Sequence, residues 1–106
     1  MKKGSENVRI PKLRDIETAI QIYYSNLELD NENIRKIFIT QRGGELSSAT
    51  IASLKDLARK EMRERNIPVY NGYRVNTEVA YETWGINISD LENRYKKLQK
   101  LKLGTN

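Results

Sequence analysis

Apolar residues recur at three- and four-residue spacing along most of the chain, and the elements they predict are helices. After Pro11, which suits the first turn of a helix, Leu13, Ile16, Ile20, Tyr23, Tyr24 and Leu27 share one stripe and predict a helix over 12–26. Asp30 is the next cap, with Leu29 and Ile34 on either side of it at hydrophobic-staple spacing. Ile34, Ile37 and Phe38 give the inner face of a short helix near 31–40. Thr40–Glu45, with Gln41, Arg42 and two glycines, reads as a connection. The cap and staple then repeat at Ser47, with Leu46 and Ile51, and open a helix running from 48 to about 65. It stops ahead of Ile67-Pro68, since the residue before a proline avoids helical geometry.

The second half follows the same logic. Asn71-Gly72 is the favoured pair for a two-residue type I′ turn, so residues 69–75 read either as a hairpin with very short strands or as an irregular turn. Asn76 caps a fourth helix with Val79, Ala80 and Trp84 inward, and Gly85 ends it. Ser89-Asp90-Leu91-Glu92 is a capping box that predicts a fifth helix from 90 to about 103, with Leu91, Tyr95 and Leu98 inward. Caps and periodicity agree, and the expectation is an all-α domain of about five helices over residues 11–104. Residues 1–10 lack periodicity and read as a flexible basic arm.

Composition narrows the function. The chain has 106 residues, 38 % hydrophobic and 31 % charged, the size of one small domain. It contains neither Cys nor His, which removes disulfides, thiol chemistry, thiolate or imidazole zinc sites and His-dependent triads. There is no GxxxxGK[ST] phosphate loop and no GxGxxG fingerprint. No apolar run reaches the ~20 residues of a membrane span, and no signal-peptide core follows Met1–Lys3. The expectation is a cytoplasmic protein that is not an enzyme, with no metal, cofactor or small-molecule substrate and no membrane partner.

Charge gives the positive indication. The net charge is +5, and basic segments alternate with an acidic one. Lys2, Lys3, Arg9, Lys12 and Arg14 precede Asp15, Glu17, Glu28, Asp30 and Glu32, and Arg94–Lys102 is again strongly basic. Converging basic segments would make a face for a polyanion; scattered ones would be solubility charge. On the third helix, at about 100° per residue, Ser48, Ala52, Lys55 and Arg59 fall in one sector, with Arg63 beside it. Small residues near a helix start admit close approach to a groove, and long cations further on reach base edges or phosphates. The same face would serve plainly as solvated surface, since Asp56 and Glu64 dilute its charge. Tyr23, Tyr24, Tyr81, Trp84 and Tyr95 read as core residues sooner than as stacking platforms.

Asn31–Ile39 followed by Ser47–Lys60, with Ile51 and Leu54 at two apolar core positions, resembles the helix-turn-helix DNA-binding proteins. The segment IRKIF…SSATIASLKDLARKEM looks like small proteins of this type from phages and prophages of Gram-positive bacteria, over about residues 31–62. The connection Thr40–Leu46 departs from compact motifs in being longer. The resemblance implies sequence-specific binding of double-stranded DNA, as a regulator or an accessory factor of a mobile element. Ser48, Ala52, Lys55 and Arg59 would face the groove, and Arg42 and Arg63 would contact phosphates. A hairpin at 69–75 would then be a wing, with Arg74 on a phosphate. The alternative is an assembly module, such as a phage structural or DNA-packaging component. Arg94–Leu103 reads first as an amphipathic helix packed on the core, with a basic clamp on phosphates or a homo-oligomer contact through Leu98 and Leu101 as its other uses.

Overall fold

The computed structural model describes residues 9–69 and 74–104. The elements in chain order are β1 (Lys12–Leu13), α1 (Ile16–Ser25), β2 (Glu28–Leu29), α2 (Asn31–Ile37), β3 (Phe38–Ile39), α3 (Ser48–Glu64), β4 (Val75–Asn76), α4 (Thr77–Thr83) and α5 (Ile88–Gly104). The fold is mostly helical, as expected, but not purely so. β1 pairs antiparallel with β3, and β2 with β4, in two separate two-stranded ladders.

The first helix is shorter than its apolar stripe. The Asp15 carboxylate accepts the Thr18 backbone N–H (2.7 Å) and the Thr18 hydroxyl (3.0 Å), so the helix starts at Ile16. Lys12 and Leu13 lie opposite Ile39 and Phe38, and Arg14 N–H donates to Ile37 C=O (2.8 Å). Leu13 fits the helical spacing by coincidence: a residue three positions before Ile16 can face the core from a strand as well. The ladder also trims α2, which ends at Ile37 because Phe38 turns extended to pair with Leu13.

The caps at Asp30 and Ser47 stand where the spacing puts them. Asp30 and Asn33 exchange side-chain-to-backbone bonds in a capping box, and Ser47 Oγ accepts from Thr50 N–H. Both staples, Leu29 with Ile34 and Leu46 with Ile51, are buried. Asn76 caps α4 through Val79 N–H (2.9 Å). On α5 the cap is Asn87, whose side chain accepts from Asp90 N–H (2.8 Å), so the helix begins at Ile88 and not at the Ser89 box.

Two helices end in the same way. After α4, Gly85 (φ +79°) is left-handed, its N–H donates to Glu82 C=O, and Ile86 N–H donates to Tyr81 C=O (2.8 Å). After α3, Asn66 (φ 60°) takes the left-handed place, with Asn66 N–H to Arg63 C=O and Ile67 N–H to Met62 C=O (2.8 Å). Both are Schellman closures, so α3 is stopped by Asn66 before Pro68 acts.

The turn at 71–72 lies outside the described residues. Val69 and Arg74, which flank it, are not in strands, and Val75 takes Leu29 as its ladder partner. The expected hairpin over 69–75 therefore gives way, at its described end, to a long-range ladder. The arm at 1–10 likewise falls mostly outside the described residues, although Ile10 packs against the core.

One contiguous core joins all the helices. The seven-residue α4 is tied to it by two buried side-chain donors. Tyr81 OH donates to Ala19 C=O of α1 (2.6 Å), and Trp84 Nε1–H donates to Leu54 C=O of α3 (2.9 Å). Trp84 also meets Phe38 edge-on, ring centroids 5.5 Å apart, a favoured aromatic geometry. Thr77 OH donates to Asn26 C=O (2.6 Å), and Thr77 N–H to Leu27 C=O (3.1 Å); together they fix the start of α4 against the end of α1. Among the described residues no helix is long and apolar enough to cross a membrane.

Candidate functional site

The side of α3 turned away from the core is the surface at issue. Ile51, Leu54, Lys55, Ala58 and Met62 are buried. Ser48, Ala49, Ala52, Asp56, Lys60, Arg63 and Glu64 are exposed. At ~100° per residue the exposed arc centres near Asp56, roughly 70° round the helix from the sector holding Ser48, Ala52, Lys55 and Arg59.

That offset decides where each expected residue lies. Ser48, Ala52 and Arg63 share the exposed arc. Arg59 sits at its margin, with its side chain 14 % accessible and its Nη1 3.0 Å from Asp56 Oδ1. Lys55 does not belong to the arc: it is 6 % exposed, and its Nζ donates to Asn31 Oδ1 (2.8 Å) in the first turn of α2. Burial holds the Lys55 ammonium below its ordinary pKa, and neighbouring Arg59 pushes the same way, while Asp30 and Asp56 oppose them. The expectation that Lys55 is a surface residue is therefore corrected, and it joins α3 to α2. The physical reason is that the apolar arc is read one step too far round: Leu57 is only half-buried, which rotates the buried face toward Lys55.

Arg42 lies on a built turn, not a slack connection. Thr40 N–H donates to Gly44 C=O, Gly43 N–H to Thr40 C=O, and Gly44 N–H to Thr40 Oγ1, each at 2.9 Å. Gly43 (φ +88°) holds a conformation that side chains other than glycine rarely adopt. Arg42 is exposed on this turn.

Ala49 and Lys60 were not singled out by the spacing, yet both lie on the exposed arc. The signal for them was the apolar set itself: opposite Ile51, Leu54, Ala58 and Met62 come positions 49, 52, 56, 60 and 63. That face has small side chains over its first turns and the cations Lys60 and Arg63 over its last, with Asp56 between them and Glu64 at the end.

Of the aromatic residues, Tyr81 and Trp84 are buried and Tyr23 and Tyr95 half-buried, whereas Tyr24 is exposed. Tyr24 OH donates to Glu92 Oε2 (2.6 Å), which raises the phenol pKa. No family model, curated protein or solved structure matches the chain.

Proposed function

We propose that the chain binds double-stranded DNA, laying the exposed arc of α3 in the major groove. The observation that carries this reading is the β2–β4 ladder. It pairs the strand ahead of α2 with the strand returning after α3. The order α1, β2, α2, β3, α3, β4 is that of a winged helix-turn-helix apart from β3, which pairs with β1, and it supports α3 as the reading helix. Ala49 and Ala52 leave the backbone close to base edges, while Lys60, Arg63 and Arg42 supply phosphate contacts. Lys55 has a structural role in this reading, as the brace between α2 and α3.

Titration of a mixed-sequence duplex at two salt concentrations tests the proposal. Four to six phosphate contacts give a log–log slope of about −4 to −5. Arg63→Ala should flatten that slope by about one unit and weaken all sequences alike. Selection from random duplexes should return a preference that Ala52→Glu abolishes. A folded protein with no affinity for duplex at low salt would sink the reading.

A second reading, an assembly module, has an observation of its own. Leu98 and Leu101 of α5 are 42 % and 66 % exposed, and exposed leucines contribute nothing to holding phosphates.

A further inference from the structure

The exposed large apolar side chains fall mainly in two clusters, one amid acids and the other amid bases. The first cluster is Tyr24 and Leu27, 63 % and 91 % exposed. They line a groove of about 920 Å³ between the end of α1, β2 and the start of α4, together with three acids, Glu28, Asp30 and Glu78, and one base, Arg74. Glu92, bonded to Tyr24, adds another carboxylate. The groove is open to solvent along its length, so an elongated partner can lie in it. The second cluster is on α5. Arg94, Lys97, Leu98 and Leu101 stand at i, i+3, i+4 and i+7, a single stripe, and all four are exposed.

The two clusters lie toward opposite ends of α1. α1 and α5 run antiparallel: Tyr24, near the end of α1, bonds to Glu92 near the start of α5. Asp15–Gln21 at the other end of α1 face Tyr95, Leu98 and Lys102. The stripe on α5 is therefore directed away from the groove, and one copy cannot seat its own tail. Pairing two tails symmetrically is disfavoured as well. An antiparallel match centred on Leu98 and Leu101 sets Lys97 of one copy against Lys102 of the other, and like charges oppose such contact.

We propose that the α5 stripe of one copy docks in the Tyr24–Leu27 groove of a second copy. Leu98 and Leu101 cover the exposed apolar side chains, and Arg94 and Lys97 meet Glu28 and Glu78. Because the two patches differ, the contact is head-to-tail and leaves a free groove and a free tail at the ends of each assembly. It does not depend on DNA, and is tested without it.

Sedimentation velocity of the nuclease-treated full chain should show a concentration-dependent series of oligomers, weakened about tenfold or more between roughly 50 mM and roughly 500 mM salt as the charged rim is screened. Leu27→Lys and Leu101→Asp alter exposed positions, so each variant should keep the wild-type helical circular dichroism and run as a monomer. Mixed, they should form a dimer and stop there, since only the intact tail of one and the intact groove of the other remain. A monomeric wild-type chain at millimolar concentration in low salt overturns the proposal. So does a closed wild-type dimer, or a variant mixture that stays monomeric. Binding of a monomeric wild-type chain to vesicles of anionic phospholipid, lost in Leu101→Asp, also overturns it and assigns the stripe to a membrane surface.

Discussion

Lys55 shows what a single side chain can hide. In the sequence it is one more cation on an amphipathic helix, and the hydrocarbon stem that lets it run along apolar surface cannot be seen there. Its bond to Asn31 is charge-assisted, and losing such a bond typically costs about 1.5–3 kcal/mol. Lys55→Ala, which also leaves a void, should therefore destabilise by about 2 kcal/mol in urea melts. Lys55→Met keeps the stem and should cost less. Both variants, once folded, should hold duplex DNA as well as wild type, whereas Arg63→Ala should not. The candidate site was thus half legible: Ser48, Ala52 and Arg63 follow from period and polarity. Exclusion of Lys55 needed the position of α2, which depends on where Asn31 lands in three dimensions. Tyr81 leads to a second expectation. Its hydroxyl is buried on Ala19 C=O, and burial chiefly, with Tyr23 beside it, pushes its pKa far above the ordinary 10.0. Below that ordinary value its contribution to stability is fully present. As pH rises past it, only the unfolded chain can ionise, and stability falls by up to about 1.4 kcal/mol per pH unit. Tyr23, also raised, acts in the same direction. Tyr81→Phe should cost about 1 kcal/mol at neutral pH and make the loss above pH ~10 visibly shallower, as read from denaturant melts across pH.

Among the elements, the helix interiors were readable and several of the ends were not. A stripe identifies a helix wherever it is long, as in α3 and α5, because burial of one face dictates its period. The start of α1 was misplaced because two-residue strands leave no periodic trace, and β1 and β3 recognise each other across the intervening α1 and α2. The ends of α3 and α4 show what the chain uses in place of a long signal. Gly85 takes φ +79° with no strain, whereas Asn66 accepts φ 60° at some cost. Gly85→Ala should destabilise by about 1–2 kcal/mol. Asn66→Gly should be neutral or slightly stabilising, and Asn66→Val should cost at least as much as Gly85→Ala. Thermal melts of the three variants rank these effects. A wild-type melting temperature for Gly85→Ala would mean that the α4 closure contributes nothing.

At the scale of the whole molecule, α5 divides into a first part that reaches the core and a last part that lies on the surface. Leu91 is buried and Ile88 packs against the core, whereas residues 100–103 are exposed throughout. Removing residues 88–106 should unfold the domain, whose total stability is on the order of 5–15 kcal/mol. Removing only 100–106 should leave the melting temperature unchanged and abolish the concentration-dependent assembly. Circular dichroism and sedimentation on the two truncations separate the two parts. The β2–β4 ladder has a last consequence, in time. It joins Leu29 to Val75 around a closed loop containing α2 and α3, and closing so long a loop costs chain entropy before any contact repays it. Helix formation within the loop is local and fast; the clasp must wait for it. In pulse-labelling during refolding, amides of α3 should gain protection ahead of those of Leu29 and Val75. The surface proposed to meet DNA would then exist briefly as helices without their fastening, and Leu29→Ala should slow folding less than it speeds unfolding.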